Sequence, residues 1–281
     1  MEKSVQIQKA QDFLALHHDA KLLVLPNIWD PLGAKLLESL GYPAVATASA
    51  AVAYSLGYDD GQKISFDEML DVIRRIAASV EIPLTADIES GYAENPREVA
   101  ENVRQVLAVG AVGINLEDSV SEGGPLRPID FQCERIAAVR QMAEQEGVPL
   151  VINARIDVFI SGGSRSKSEM TAETITRAKA YLEFGADCIY PIALGDVETL
   201  QQIQAEIDAP INVYASASTA SMAELEAIGI SRLSLGPGFL KASLTAMKKV
   251  ALELKNYSSY DSFTRDVMTS EEIVGLIEGK M

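Results

Sequence analysis

The chain alternates short apolar runs with longer amphipathic stretches, and it does so eight times. The runs are Leu22–Pro26, Ala44–Thr47, Leu84–Asp87, Gly113–Leu116, Leu150–Ala154, Cys188–Pro191, Ile211–Tyr214 and Arg232–Leu235. Short, mostly apolar runs of this kind are what parallel strands buried on both faces require. The stretches between them carry helical spacing, as in Val99, Val103, Val106 and Leu107 at i, i+4, i+7 and i+8. Asn95-Pro96-Arg97-Glu98 offers Asn at N-cap, Pro at N1 and Glu at N3, and Ser65-Phe66-Asp67-Glu68 reads as a capping box. Gly41, Gly110, Gly185 and Gly229 stand where a left-handed residue closes a helix before the even-numbered runs. Pro83, Pro149 and Pro210 introduce the third, fifth and seventh.

Eight such units without a composition break predict one α/β domain over residues 1–256, a TIM-type (β/α)₈ barrel with an N-terminal helix. Residues 257–281 are surplus to eight units. Their capping box, Thr269-Ser270-Glu271-Glu272, and Ile273, Val274, Leu276 and Ile277 predict a C-terminal helical extension, packed on the barrel or on a neighbouring subunit. A doubly wound open sheet is the alternative, but it calls for a Gly-rich loop after the first strand. Pro26-Asn27-Ile28-Trp29-Asp30 stands there instead, and no G-x-G-x-x-G or Walker A pattern occurs.

Lys and Arg total 24 against 40 Asp and Glu, a formal charge of −16 that disfavours nucleic acid as a partner. Cys133 and Cys188 are isolated thiols, and no 18-residue apolar run or secretory h-region is present. The expectation is a cytoplasmic protein without a membrane partner. The only histidines, His17 and His18, are placed on the helix before the barrel, so carboxylates, Arg, Lys, Tyr and hydroxyls are left to do any chemistry at the barrel mouth.

Active sites of such barrels form at the C-terminal ends of the strands. Polar residues crowd there: Asn27, Thr47 and Ser49, Asp87 and Glu89, Asn115 and Glu117, Asn153, Arg155 and Asp157, Tyr190, Asn212 and Tyr214, and Ser234. Spacing of i, i+2 on the third to fifth strands aims Asp87, Glu89, Glu117 and Arg155 at one mouth. Clustered carboxylates need neutralising, which Mg²⁺ does with oxygen ligands. Arg155 either grips a substrate carboxylate bidentately or only neutralises Glu117 in a salt-bridge lattice. Gly236-Pro237-Gly238 is a phosphate cradle or an ordinary turn, and Trp29 a packing anchor or a pocket wall. Gly162 to Lys167 reads as a cationic surface loop.

With this ring assembled, the sequence resembles the isocitrate lyase/phosphoenolpyruvate mutase superfamily, in its phosphoenolpyruvate-mutase-like (phosphonomutase-like) branch. The resemblance runs from Leu25-Pro26-Asn27-Ile28-Trp29-Asp30 to Ser234-Leu235-Gly236. Its most specific parts are Ser55-Leu56-Gly57-Tyr58-Asp59-Asp60-Gly61, Thr85-Ala86-Asp87-Ile88-Glu89-Ser90-Gly91-Tyr92, Gly113-Ile114-Asn115-Leu116-Glu117-Asp118-Ser119 and Asn153-Ala154-Arg155-Ile156-Asp157. It implies a Mg²⁺-dependent enzyme (Mn²⁺ as a substitute) acting on a 2-oxo acid, with Asp60, Asp87, Glu89 and Glu117 around the metal. It implies substrate binding by Thr47, Ala48, Ser49 and Arg155; Asn115, Asn212 and Tyr190 complete the candidate binding set. It also implies a homotetramer, a dimer of dimers.

The departures narrow the activity. Isocitrate-type lyases carry a Lys-[Lys/Arg]-Cys-Gly-His loop after the fourth strand, whereas Ser119 to Pro128 holds neither Cys nor His. The mutase loop, with its Lys and Asn, is missing as well. What remains needs little side-chain chemistry: C–C cleavage of a small 2-oxo dicarboxylic acid, oxaloacetate decarboxylation being the simplest, through a metal-stabilised enolate. Arg155, Asp60, Glu117 and Tyr58 are the candidate catalytic residues, with Tyr58, Tyr190 or water as proton source. The alternatives are a P–C bond mutase or hydrolase of phosphonate metabolism and a barrel that binds a 2-oxo acid without turnover.

Overall fold

The computed structural model describes residues 1–121 and 123–280. Glu122, within the loop after the fourth predicted strand, and Met281 lie outside them. In chain order the barrel segments are β1 (Leu23–Leu25), β2 (Asn27–Ile28), β3 (Val45–Thr47), β4 (Leu84–Asp87), β5 (Gly113–Glu117), β6 (Val151–Ile156), β7 (Cys188–Pro191), β8 (Asn212–Tyr214) and β9 (Arg232–Ser234). All their pairings are parallel. Pro26, which has no N–H to give a ladder, splits the first of the eight staves into β1 and β2. β1 pairs β9 and β2 pairs β3, so one stave serves two arcs, β2-β3-β4-β5-β6-β7 and β8-β9-β1. A single bridge, Ile189 to Ile211, closes the ring between β7 and β8. The (β/α)₈ barrel expected from the sequence is the fold.

The ladders adjust the expected strand ends where the chemistry sits. β6 runs on to Ile156 and so takes in Arg155, while β5 reaches Glu117. β9 stops at Ser234 because the Leu235 N–H turns to Asn27 Oδ1 at 2.7 Å. β4 stops at Asp87, so Glu89 does not continue the strand alternation; it sits in the left-handed region at φ 53°.

The outer layer follows the predicted signals. Helices α1 (Lys3–Leu16), α2 (Pro31–Ser39), α3 (Ser49–Ser55), α4 (Phe66–Ala77), α5 (Pro96–Ala108) and α6 (Ile129–Glu146) are followed by the short α7 (Val158–Ser161). Then come α8 (Lys167–Glu183), α9 (Val197–Glu206), α10 (Met222–Ala227), α11 (Gly238–Lys255) and α12 (Ser270–Glu278). Ser65 and Thr269 form capping boxes with Glu68 and Glu272, and Asn95 accepts from Arg97 N. Gly110 and Gly185 close α5 and α8 at φ 113° and 108°. α12 packs on α2 and buries Leu276.

Helix α1 stoppers the foot of the barrel. Phe13 lies against Gly113 at the start of β5, where a Cβ would stand 2.7 Å from its ring. His17 stacks edge-on to Phe13 at 4.7 Å and its Nδ1 pairs with Phe13 O. Burial, then the positive Arg232, lowers the His17 pKa to about 3. Both histidines are thus remote from the mouth, as the sequence predicts.

Candidate active site

A cavity of about 260 Å³ opens at the C-terminal ends of the strands. Asn27, Ala48, Ser49, Asp60, Asp87, Asn115, Arg155, Tyr190, Tyr214 and Ser234 line it, drawn from nearly every stave. A larger apolar groove of about 470 Å³ lies outside the barrel between α2, α11 and α12. Its one charged lining residue, Asp30, is occupied in capping α2 through Gly33 N. Trp29 lines that groove and is a packing anchor. Convergent polar groups, not size, mark the smaller cavity as the candidate site.

Local geometry sets the carboxylates. Asp87 accepts from Ser49 Oγ at 2.8 Å and Ser49 N at 3.3 Å, tying the end of β4 to the first turn of α3. Glu89, Gly91 and Tyr92 all take positive φ, a tight reversal that turns Glu89 back toward Asp87. Its carboxylate accepts from Gln62 N at 2.5 Å and Tyr92 OH at 3.3 Å, which buttons the Asp60 loop to this turn. Arg135 of α6 donates to Ser90 O and Ala93 O, and Gln132 to Glu117 O, so one helix braces both acidic segments.

Arg155 is held between two carboxylates. Nη1 meets Glu117 at 2.6 Å, while Nε and Nη2 meet Asp157 at 2.7 and 2.9 Å. The lattice of the sequence reading therefore exists, yet two N–H donations to Asp157 and one ion-pair contact with Glu117 leave two of the guanidinium's five N–H groups for a ligand. Asp157 is in turn held by Ser119 Oγ, and its N–H donates to Asp118, which pairs with Arg177 and Tyr181.

The electrostatics are lopsided. Burial, with Asp87 and Asp60 nearby, raises the Glu89 pKa to about 8. Burial likewise pushes Glu117 well up, against the pull of Arg155. Burial works against the charge on Arg155 itself, but Glu117 and Asp157 overcome it and hold its pKa high. Arg155 pairs with Glu117 and Asp157, while Asp87 and Asp60 add negative charge beside Glu89, a crowding that a cation would relieve. Among the described residues no three His, Cys, Asp or Glu side chains draw together closely enough to hold an ion by themselves.

Comparison with known proteins follows the same geometry. A model of the family described as phosphoenolpyruvate phosphomutase matches residues 13–255. The chain belongs to the phosphoenolpyruvate phosphomutase family. It is 30% identical over 240 residues to an uncharacterised protein of Mycobacterium tuberculosis (strain CDC 1551 / Oshkosh), covering 85% of this chain and 87% of that one. A structure from Burkholderia cenocepacia J2315, provisionally named a lyase/mutase, superposes with TM-score 0.89 at 32% identity over 97% of this chain and 96% of the other. Phosphonopyruvate hydrolase, solved with oxalate and Mg²⁺, shares the fold at TM-score 0.84 and 24% identity, covering 97% and 95%.

Within this phosphoenolpyruvate phosphomutase family barrel, several residues differ from their sequence-based placement. Tyr58 is 41% exposed and its hydroxyl reaches Glu68 at 3.3 Å; Gly57, at φ 84°, turns it outward and away from the cavity. Thr47 is fully buried and its Oγ1 accepts from Asp87 N, so it supports the wall without lining it. Asn212 is buried below the floor. The Gly236 turn is no open cradle, since Leu235 N and Gly236 N both donate to Asn27 Oδ1. Arg165 and Lys167 pair with Glu173 and Asp196 instead of facing the mouth. Tyr54, Ile160, Ile192, Ala193 and Lys241 also line the cavity, outside the set expected from the sequence. They come from helices and loops, where strand periodicity gives no signal.

Proposed function

We propose that this family member is a Mg²⁺-dependent lyase that cleaves a C–C bond of a small 2-oxo dicarboxylic acid, oxaloacetate decarboxylation being the simplest case. The observation that carries the reading is a small cavity lined by Asp60, Asp87 and Arg155, with Glu117 and Asp157 paired to that arginine. Asp87, Glu89, Glu117 and Asp60 would hold the ion, mostly through water; when bound, it supplies an electrophile for carboxylate and keto oxygens. Its oxygen-only donor set suits a hard cation, and the oxalate–Mg²⁺ complex of phosphonopyruvate hydrolase supports the choice.

The chain's own groups then bind and protonate. The free N–H groups of Arg155 and the Asn115 amide N–H groups would face the substrate's oxygens. Ala48 and Ser49 close one wall, and Tyr190 the opposite one. Burial raises the Tyr190 pKa, so its phenol stays protonated and is placed to deliver a proton to the carbon that loses CO₂. Tyr58, pointing away, is not assigned that role. Buried free Cys133 and Cys188 fit a reducing, cytoplasmic setting, and no helix among the described residues is long and apolar enough to cross a membrane.

P–C bond chemistry is the second reading, favoured by Lys241 at the rim as a second cation for a phosphonate. Pyruvate release from oxaloacetate decides between them. Turnover should require Mg²⁺, stop in EDTA and fall by about 10²-fold or more in Asp87→Ala. Undiminished turnover in EDTA would sink the proposal. Phosphonate consumption in phosphorus NMR would establish the second reading, and ligand binding without turnover a non-catalytic barrel.

A further inference from the structure

The lumen beneath the candidate site holds a charge that the proposed reaction does not use. TIM-barrel interiors are normally filled by layers of branched apolar side chains. Here Thr85, Asn153, Cys188, Asn212 and Arg232 are all buried where those layers would stand. Arg232 begins β9, yet its Nη2 reaches Asn115 Oδ1 at 3.4 Å on β5, on the opposite side of the ring. A contact between opposite staves passes through the lumen, which puts this guanidinium near the barrel axis. Nε contacts Ser234 Oγ at 3.2 Å. Both partners, Asn115 and Ser234, line the cavity above.

The bonding of Arg232 is incomplete. It is fully buried, no carboxylate among the described residues lies within ion-pair distance, and Nη1 has no partner. Beside it in register, Asn212 has neither side-chain atom satisfied. The buried Arg127 and Arg177 each have a carboxylate, and the buried Arg135, which has none, is held instead by two backbone carbonyls and Gln132. A desolvated guanidinium without one is costly for stability alone. Its charge is felt by Tyr190 and Asp87 toward the mouth as well as by His17 at the foot.

We propose that Arg232 is a positioning residue that sets Asn115 and Ser234 as the floor of the site and supplies, from the barrel axis, a positive charge favouring a dianionic ligand over a bare cation. The inference rests on the reading of the mouth as a Mg²⁺ and oxo-acid site. It assigns the site a vertical polarity, with carboxylates around the rim to gather the ion and a cation below to draw in the ligand's anionic end. Removing a single positive charge then has opposite consequences for the two ligands.

The test is calorimetric titration of the full chain with Mg²⁺ alone, and with oxalate at saturating Mg²⁺, in wild type, Arg232→Met and Arg232→Lys. A buried unit charge roughly 12 Å away shifts affinity by about tenfold per unit of ligand charge at an effective dielectric of about 20, so tenfold is a lower bound for a doubly charged ligand. In Arg232→Met, oxalate should bind at least about tenfold more weakly while Mg²⁺ alone binds more tightly. Arg232→Lys should restore the Mg²⁺ value and part of the oxalate value. Parallel loss of both affinities, or no change in either, overturns the proposal. Should Arg232→Met fail to fold, Arg232→Gln, which keeps a donor for Asn115, is read by the same two affinities. Absence of Mg²⁺ and oxalate binding in wild type would instead sink the reading of the mouth.

Discussion

His17 shows how one buried side chain at the foot of the barrel is linked to pH. Its pKa in the folded chain, about 3, lies below the ordinary 6.5 because burial and Arg232 disfavour the imidazolium. The unfolded chain therefore binds a proton that the folded chain refuses. Stability from this group is complete above pH 6.5 and drains away as pH falls toward 3. Thermal melts of His17→Gln against wild type should show a smaller acid-side loss in the variant between those limits. Equal slopes would mean that His17 is protonated without cost. Tyr58 gives a different lesson at this scale. A sequence places a residue near a site but does not orient its side chain; a left-handed Gly57 and the nearby Glu68 turn Tyr58 outward. Arg232 carried the opposite signal, a charge inside an otherwise apolar run, but burial and direction had to be seen before it acquired meaning.

At the level of the element, the strands, helices and caps were legible because each rests on local chemistry: periodicity, Asn and Ser at N-caps, Gly at helix ends. What escaped depends on two segments meeting. Glu89 is aimed by a left-handed turn that Arg135 of α6 braces through backbone carbonyls, and nothing within Ser90–Ala93 announces it. The seating of α1 under the barrel is a second case, and it is testable. In Gly113→Ala the new methyl would stand 2.7 Å from the Phe13 ring and 2.8 Å from Thr85 Oγ1. Overpacking of this kind costs roughly 1–3 kcal/mol. Denaturant titrations should show that loss, with Phe13→Leu recovering part of it in the double variant. A neutral Gly113→Ala would mean that α1 is seated loosely.

For the whole molecule, the unfinished surface is α11. Of its 18 residues only Leu240 is buried, while Leu244 is 50% exposed and Met247 65%. An amphipathic helix of that length without a covered face calls for a partner surface. We infer a homo-oligomer, a dimer of dimers built over α11 and residues 257–281, with the last helix exchanged between subunits or held on its own barrel. Leu244→Asp with Met247→Asp should shift sedimentation to a smaller species while the far-UV spectrum is kept. A wild-type monomer at micromolar concentration would refute it.

The split of the first stave at Pro26 has a consequence for how the site holds its charges. The barrel is two arcs joined by a shared, interrupted stave and by one bridge at Ile189. Asp87, Glu117 and Arg155 stand on the long arc, and Arg232 and Ser234 on the short one. The acidic rim and the cation below it therefore stand on separate arcs of the ring. Any breathing at the two seams changes the distance between opposite charges and retunes the field across the cavity without moving a residue within either arc.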